Sequence, residues 1–193
     1  WRARWDWALV IGGFVPARVF GVAFGNVLTG VPFRLDSDLR SFYEGGFLDL
    51  FSPFALLCGL LSLAMLVVHG AAWLAIKIED GPVRMRARRI GLWAACAVIL
   101  LFAAGGLMVA NGAGFRIEGV ADTTGPSNPR LTATVFERGA WLGNYALYPW
   151  MLAAPVFGFA GALLALAGII GRKPALAFSG SSLATFGIIA TVG

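Results

Sequence analysis

Apolar residues run along the chain in five stretches, at approximately 7–28, 52–76, 90–110, 150–170 and 175–193, with the polar and charged residues gathered between them. A helix needs about 20 mostly apolar residues to cross roughly 30 Å of hydrocarbon, and each stretch meets that length. A closed barrel would show short segments alternating apolar and polar positions, and no such alternation is present. The pattern predicts helices, which satisfy their own backbone groups in lipid. The expected fold class is an all-α polytopic membrane protein: residues 1–193 form a single transmembrane domain of about five helices from a larger helical bundle.

Composition sharpens this. The chain is 59% hydrophobic and 13% charged, with a mean hydropathy of +0.79. A soluble domain carries about a quarter charged residues, and a water-soluble fold of this length has no way to hide so much apolar surface. Disorder and a disulfide scaffold are excluded as well, the latter because there are only two Cys. The chain opens Trp1-Arg2-Ala3-Arg4-Trp5, with no initiating Met and no signal-peptide pattern, and closes on Ile188-Ile189-Ala190-Thr191-Val192-Gly193, still apolar. The expectation is an internal segment of a longer protein.

Basic residues orient the spans. Arg2 and Arg4, the 77–89 connection (Lys77, Arg84, Arg86, Arg88, Arg89) and the 171–174 connection (Arg172, Lys173) place nine on one side. The 31–49 and 111–148 connections place five on the other: Arg34, Arg40, Arg116, Arg130 and Arg138. The richer side is expected to be cytoplasmic. Trp5, Trp7, Trp73 and Trp93 then fall near the inner interface, and Trp141, Tyr145, Tyr148 and Trp150 near the outer one, where amphipathic rings belong. The formal charge of +5 reads as orientation and contact with anionic membrane lipid. It does not read as nucleic-acid binding, since the basic residues flank spans and do not stripe a soluble face.

Of the outer connections, 31–49 is mildly acidic, with Asp36, Asp38, Glu44 and Asp49. The 111–148 loop carries a Gly125-Pro126-Ser127-Asn128-Pro129 turn cluster, followed by a stretch from Leu131 to Asn144 expected to form a short surface helix.

Three buried polar residues are the candidate sites. Arg18 lies near the middle of the first span, where a cation costs from about 2.5 kcal/mol upward. It calls for a partner or a water-filled cavity: a proton, anion or cofactor-propionate contact, or a structural ion pair. Ala17, Gly21 and Gly25 on the same helix form a small-xxx-small stripe that permits close helix approach, and Pro16 removes a backbone hydrogen bond. His69, the one His, lies within the second span. Haem ligation or a proton relay are its functional readings. Alone it cannot form a bis-His haem site, and a His/Met pair has Met65, Met108 or Met151 to draw on with no spacing that singles one out. A bond to a neighbouring helix is its expected role. Asn26, near the outer end of the first span, is expected to link helices or close a helix end.

Other residues carry less. Asp36-Ser37-Asp38 lacks the ligand count of a calcium loop. Asp6 is expected to cap the first helix. Cys58 and Cys96 lie about 12 Å apart in depth on the helical rise, too far to bond. There is no CxxC, HExxH, P-loop, GxSxG or GxGxxG motif, so the segment offers no self-contained active site and no catalytic or metal-ligating residue.

Several strings nonetheless carry a resemblance: Trp5-Asp6-Trp7; Gly21-Val22-Ala23-Phe24-Gly25-Asn26-Val27-Leu28-Thr29-Gly30-Val31-Pro32-Phe33; Tyr43-Glu44-Gly45; Pro53-Phe54-Ala55-Leu56-Leu57-Cys58-Gly59; Gly70-Ala71; and Arg138-Gly139-Ala140-Trp141-Leu142. Together they resemble subunit II of the cytochrome bd ubiquinol oxidases over nearly the whole chain. The resemblance implies a multi-pass subunit of the bacterial cytoplasmic membrane, typically of nine spans. Its partner is a haem-bearing subunit I holding the haem b and haem d cofactors. Quinol oxidation, reduction of O2 to water and a proton gradient are the implied activity, with a structural quinone in subunit II and small accessory subunits as further components. Arg18 and Ser52 depart from the family pattern, and no catalytic residue is carried over. The alternative is a secondary transporter with Arg18 at a midplane site, toward which the echo between Pro16 and Pro155 points.

Overall fold

The computed structural model describes residues 1–118 and 133–192. Six helices follow in chain order: α1 (Arg2–Thr29), α2 (Pro53–Lys77), α3 (Pro82–Asn111), the short α4 (Gly143–Leu147), α5 (Ala153–Ile170) and α6 (Pro174–Ala190). Arg2–Thr29, Pro53–Lys77, Pro82–Asn111 and Pro149–Ile170 are long and apolar enough to cross a membrane. α6 is apolar but has 17 residues, the lower edge of a spanning length. The all-α polytopic class holds, with four helices of full spanning length and a shorter fifth.

Local chemistry sets several ends. The Ser52 hydroxyl accepts the Ala55 N–H at 3.2 Å and Pro53 stands at the first helical position, a favoured N-terminal pairing. α1 starts with Trp1 at its cap and no acidic residue in its first turn. Asp6 lies one turn further in and does not cap the helix, because the helical run begins at Arg2. α5 closes with two reverse hydrogen bonds, Lys173 N–H to Gly168 O at 2.8 Å and Arg172 N–H to Ile169 O at 3.4 Å. That is the Schellman arrangement, whose left-handed residue is ordinarily Gly. Here it is Arg172, at φ 56°, where a side chain costs about 1–2 kcal/mol.

The chain divides into two units, each with its own packing. In Trp1–Gly105 with Ala153–Gly193, helices meet through small residues. A Cβ at Gly21 would strike the Cys58 carbonyl and lie 2.7 Å from the Gly59 Cα, and one at Gly25 would lie 2.7 Å from the Ala55 Cα. The Ala17, Gly21, Gly25 stripe thus presses α1 against the backbone of α2. α5 and α6 approach closer still. Gly158 opposes Gly187, Gly161 opposes Ala184, Ala165 opposes Gly180 and Gly168 opposes Ala177; a Cβ at Gly161, Gly168, Gly180 or Gly187 would strike the facing backbone, and one at Gly158 the Phe102 side chain. The spacing on both helices is three, four, three, a heptad seam made entirely of Gly and Ala.

The interior reflects this. Its cluster is Leu61, Ala64, Val68 and Ala72 of α2, Ala95 and Val98 of α3, Ala162, Ala165 and Ile169 of α5, and Ala177, Ala184 and Ile188 of α6. Phe20, Val27, Leu66, Leu100, Leu163 and Phe186 are instead more than half exposed. Small residues face protein and large ones face outward, the reverse of a soluble core and the arrangement expected where lipid is as apolar as Leu. A hairpin of β1 (Phe33–Leu35) and β2 (Ser41–Tyr43) follows α1. The Asp36 carboxylate closes its turn by accepting the amides of Asp38 and Arg40, both at 2.9 Å.

In the second unit, Gly106–Leu152, β3 (Ala113–Ile117) pairs antiparallel with β4 (Thr134–Arg138). Phe115 and Phe136 stack across the pair at 4.9 Å, and the Trp141 indole covers Gly114, whose missing side chain leaves the room. The expected surface helix over 131–144 is therefore corrected: its described part is a strand, a 3-10 turn at Ala140–Leu142 and the start of α4. Thr134-Val135-Phe136 carries β-branched and aromatic residues, and Phe136 gains a cross-strand partner that a lone surface helix lacks. The Gly125–Pro129 turn cluster lies outside the described residues.

Candidate functional site

His69 is placed by the crossing of α2 with α6. Its Nδ1 lies 2.9 Å from the Ser181 Oγ, and Ser181 is buried. The Ser181 hydroxyl is 2.8 Å from the Phe178 carbonyl. A hydroxyl has one hydrogen to give, and the carbonyl can only accept it. With that hydrogen on the carbonyl, Ser181 Oγ is the acceptor for a His69 Nδ1–H. The Phe178 ring packs on the imidazole with centroids 4.5 Å apart. Beside Ser181 is a cavity of about 10 Å³, lined by Met65, Val68, Ala95, Ala184 and Thr185 among others, room for one water molecule.

The haem that the resemblance associates with this family does not fit here. Its iron needs an imidazole facing an open porphyrin-sized slot, whereas His69 is packed on Phe178 and the adjoining cavity is water-sized. Among the described residues no three His, Cys, Asp or Glu side chains converge on a metal position.

Arg18 is half-buried at the α1–α2 seam. Its carbonyl and Cγ lie about 3 Å from where a Cβ on Gly59 would stand. Gly59 is thus what allows an arginine stem between the two helices. Among the described residues the guanidinium forms no ion pair. One helical position before it, the Ala17 carbonyl accepts the Ser62 hydroxyl at 2.8 Å, a polar tie across the seam.

Asn26 both closes and links. Its side-chain amide donates to Val22 O at 3.0 Å within α1 and to Leu50 O at 2.8 Å in the 3-10 turn Phe47–Leu50. The three candidate residues are not one site: His69 belongs to the α2–α6 crossing, Arg18 to the α1–α2 seam and Asn26 to the end of α1. Cys58 and Cys96 are free thiols.

Sequence reasoning missed Ser181, Arg88 and Arg172. Ser181 is 112 residues from His69, and no local spacing connects them. Arg88 counted only as an orientation charge, yet it donates to Ile169 O and Ile170 O, each at 2.8 Å, and so holds the carbonyl end of α5. A readable signal existed in Arg84 and Arg88, four apart and hence on one helix face.

Fold and polar contacts together define a polytopic helical membrane subunit whose buried polar groups tie helices to one another. A family model described as cytochrome bd terminal oxidase subunit II matches residues 1–193, and the chain belongs to that family. It is 40% identical over 191 residues to the "Probable cytochrome oxidase subunit 2" of Haemophilus influenzae, covering 99% of this chain and 50% of that protein. It is 40% identical over 194 residues to the "Cytochrome bd-I ubiquinol oxidase subunit 2" of Escherichia coli K12, covering 100% and 51%. The "Cytochrome bd ubiquinol oxidase subunit 2" of Bacillus subtilis is 24% identical over 90 residues, 47% of this chain and 25% of that one. The chain spans about half the length of the first two relatives. Nothing in these matches supports the transporter alternative.

Proposed function

We propose that this chain serves as part of subunit II of a respiratory quinol:O2 oxidoreductase. In this reading it packs against a haem-bearing subunit I that carries haem b and haem d, and supports quinol oxidation, O2 reduction to water and generation of a proton gradient. The observation that carries the reading is the family match over the whole chain, with 40% identity between the whole of this chain and about half of an oxidase subunit. The chain's own residues contribute a water-excluding helical wall joined through Gly and Ala seams, and no catalytic residue. The bacterial cytoplasmic membrane, a structural quinone and small accessory subunits belong to the same reading. So does an orientation with Arg2, the 77–89 connection and Arg172 on the cytoplasmic side, supported by the basic-residue asymmetry.

Arg18 takes its counter-charge from elsewhere in the assembly, because a cation at mid-span is retained where a partner or water offsets its desolvation. Arg18→Leu is then expected to lower the yield and thermal stability of the purified oxidase, by up to about 3 kcal/mol if a buried pair is broken. Unchanged yield and melting sink that role.

The reading is tested on the complete protein, tagged and purified gently from its own membranes. A reduced-minus-oxidised visible spectrum with b and d haem bands, together with quinol-driven oxygen uptake, is the expected result. A folded preparation free of haem and without oxygen uptake overturns it.

A further inference from the structure

A cleft of about 380 Å³ opens where the last turns of α2 and α5 meet the first turns of α3 and α6. Its walls differ in chemistry. Ala71, Ala72, Ala75, Gly168 and Ala177 make an apolar floor, and the volume exists because these residues are small. Around the floor stand Arg84, Arg88 and Arg172 against a single carboxylate, Asp80. That carboxylate is 93% exposed and pairs with Arg84 at 2.8 Å, so it leans toward solvent and offsets one arginine. Arg88 is committed to the Ile169 and Ile170 carbonyls, which cancels the negative end of α5 beside the cleft. Arg172 forms no ion pair among the described residues. It occupies the left-handed position that Gly ordinarily takes, at φ 56°, one residue after a glycine that the chain placed elsewhere. Non-glycine residues held in that region cluster at functional sites, and this one lines the cleft.

We propose that the cleft binds a phosphate group, carried by an anionic phospholipid of the adjoining leaflet. Guanidinium forks match phosphate oxygens in geometry and charge. Basic pockets between membrane helices suit lipid head groups, and the apolar floor receives the first part of an acyl chain, which free phosphate leaves bare. Arg172 and Arg84 are the anion contacts, and Arg88 keeps the wall in place.

The test uses the complete protein in its purified, delipidated membrane assembly, titrated with short-chain phosphatidylglycerol and followed by native mass spectrometry. Arg172→Gly suits the left-handed backbone and so preserves the end of α5, and Arg84→Gln frees only an exposed carboxylate. Each is expected to weaken binding roughly five-fold, and both together about 25-fold, at about 1 kcal/mol per arginine. Arg86→Gln removes the same charge from the same connection outside the cleft and is expected to leave binding unchanged. Inorganic phosphate that competes only weakly assigns the lipid as occupant. If it binds as tightly, the arginine site stands and free phosphate is its ligand. The proposal is overturned if the double variant binds like the parent, if Arg86→Gln weakens binding as much, or if phosphatidylcholine binds equally well.

Discussion

Two helix seams in the same unit use the same small residues in different ways. Between α5 and α6, Gly or Ala faces Gly or Ala at four successive levels, from Gly158 against Gly187 to Gly168 against Ala177. Between α1 and α2 the glycines are fewer and the seam admits polar groups, with Ser62 bonded to Ala17 O and the Arg18 stem beside Gly59. The first sixteen residues of the chain are exposed, so α1 is pinned only along its second half. The α5–α6 seam holds by van der Waals contact of backbones over its whole length, and the α1–α2 seam holds by a short contact and polar ties. In lipid, where apolar side chains gain little by meeting each other, close backbone approach is the larger contribution.

The sharpest way to break the contrast is a β-branched residue in the tighter seam. Gly161→Val places its Cβ against the Ala184 backbone, which cannot yield without parting α5 from α6. A loss of about 3 kcal/mol or more is expected, read as failed accumulation or a large drop in melting temperature. Gly21→Val meets the Cys58 carbonyl, but α1 is free to shift along its unpinned half, so about 2 kcal/mol is expected in the same melt. If the two losses prove equal, the distinction between the seams falls.

Smaller changes test the polar ties. Ser181→Ala leaves the His69 Nδ1–H without its acceptor and is expected to cost about 1 kcal/mol. Ser62→Ala removes one interhelical hydroxyl bond, at about 0.6 kcal/mol. Paired thermal melts rank them, and a larger cost at Ser62 would place the more important tie at the α1–α2 seam. Gly70→Ala is the opposite case: nothing lies within 4 Å of the added methyl. Relief of helical backbone entropy is expected to stabilise by roughly 0.5–1 kcal/mol.

How far these features were legible depended on their range along the chain. Ala17, Gly21 and Gly25 repeat every four residues on one helix, so the stripe and its role in close approach could be read directly. The α5–α6 seam repeats three, four, three on two separate helices, and it acquires meaning only when both are aligned antiparallel. Against the glycine background of membrane helices it passes as composition. The 131–144 stretch misled for a related reason. Its alternation is brief, and what makes Thr134–Arg138 a strand is Ala113–Ile117, some twenty residues away. Asn26 was legible as a linking residue because its position near a helix end restricts what it can reach, although Leu50 as the receiver was not.

The sequence by itself determined that this protein belongs in a bilayer, that it is built of helices, and which residues are too polar to lie there without a contact. Those follow from the cost of exposing apolar surface to water and bare peptide groups to lipid, which depends on local composition alone. Only the tertiary structure decided that His69 bonds to Ser181, that Arg88 closes the end of α5, and that Arg172 takes a left-handed turn at the edge of a basic cleft. Each of those is an approach between groups distant in the chain or a choice among backbone conformations, and packing of whole helices sets both.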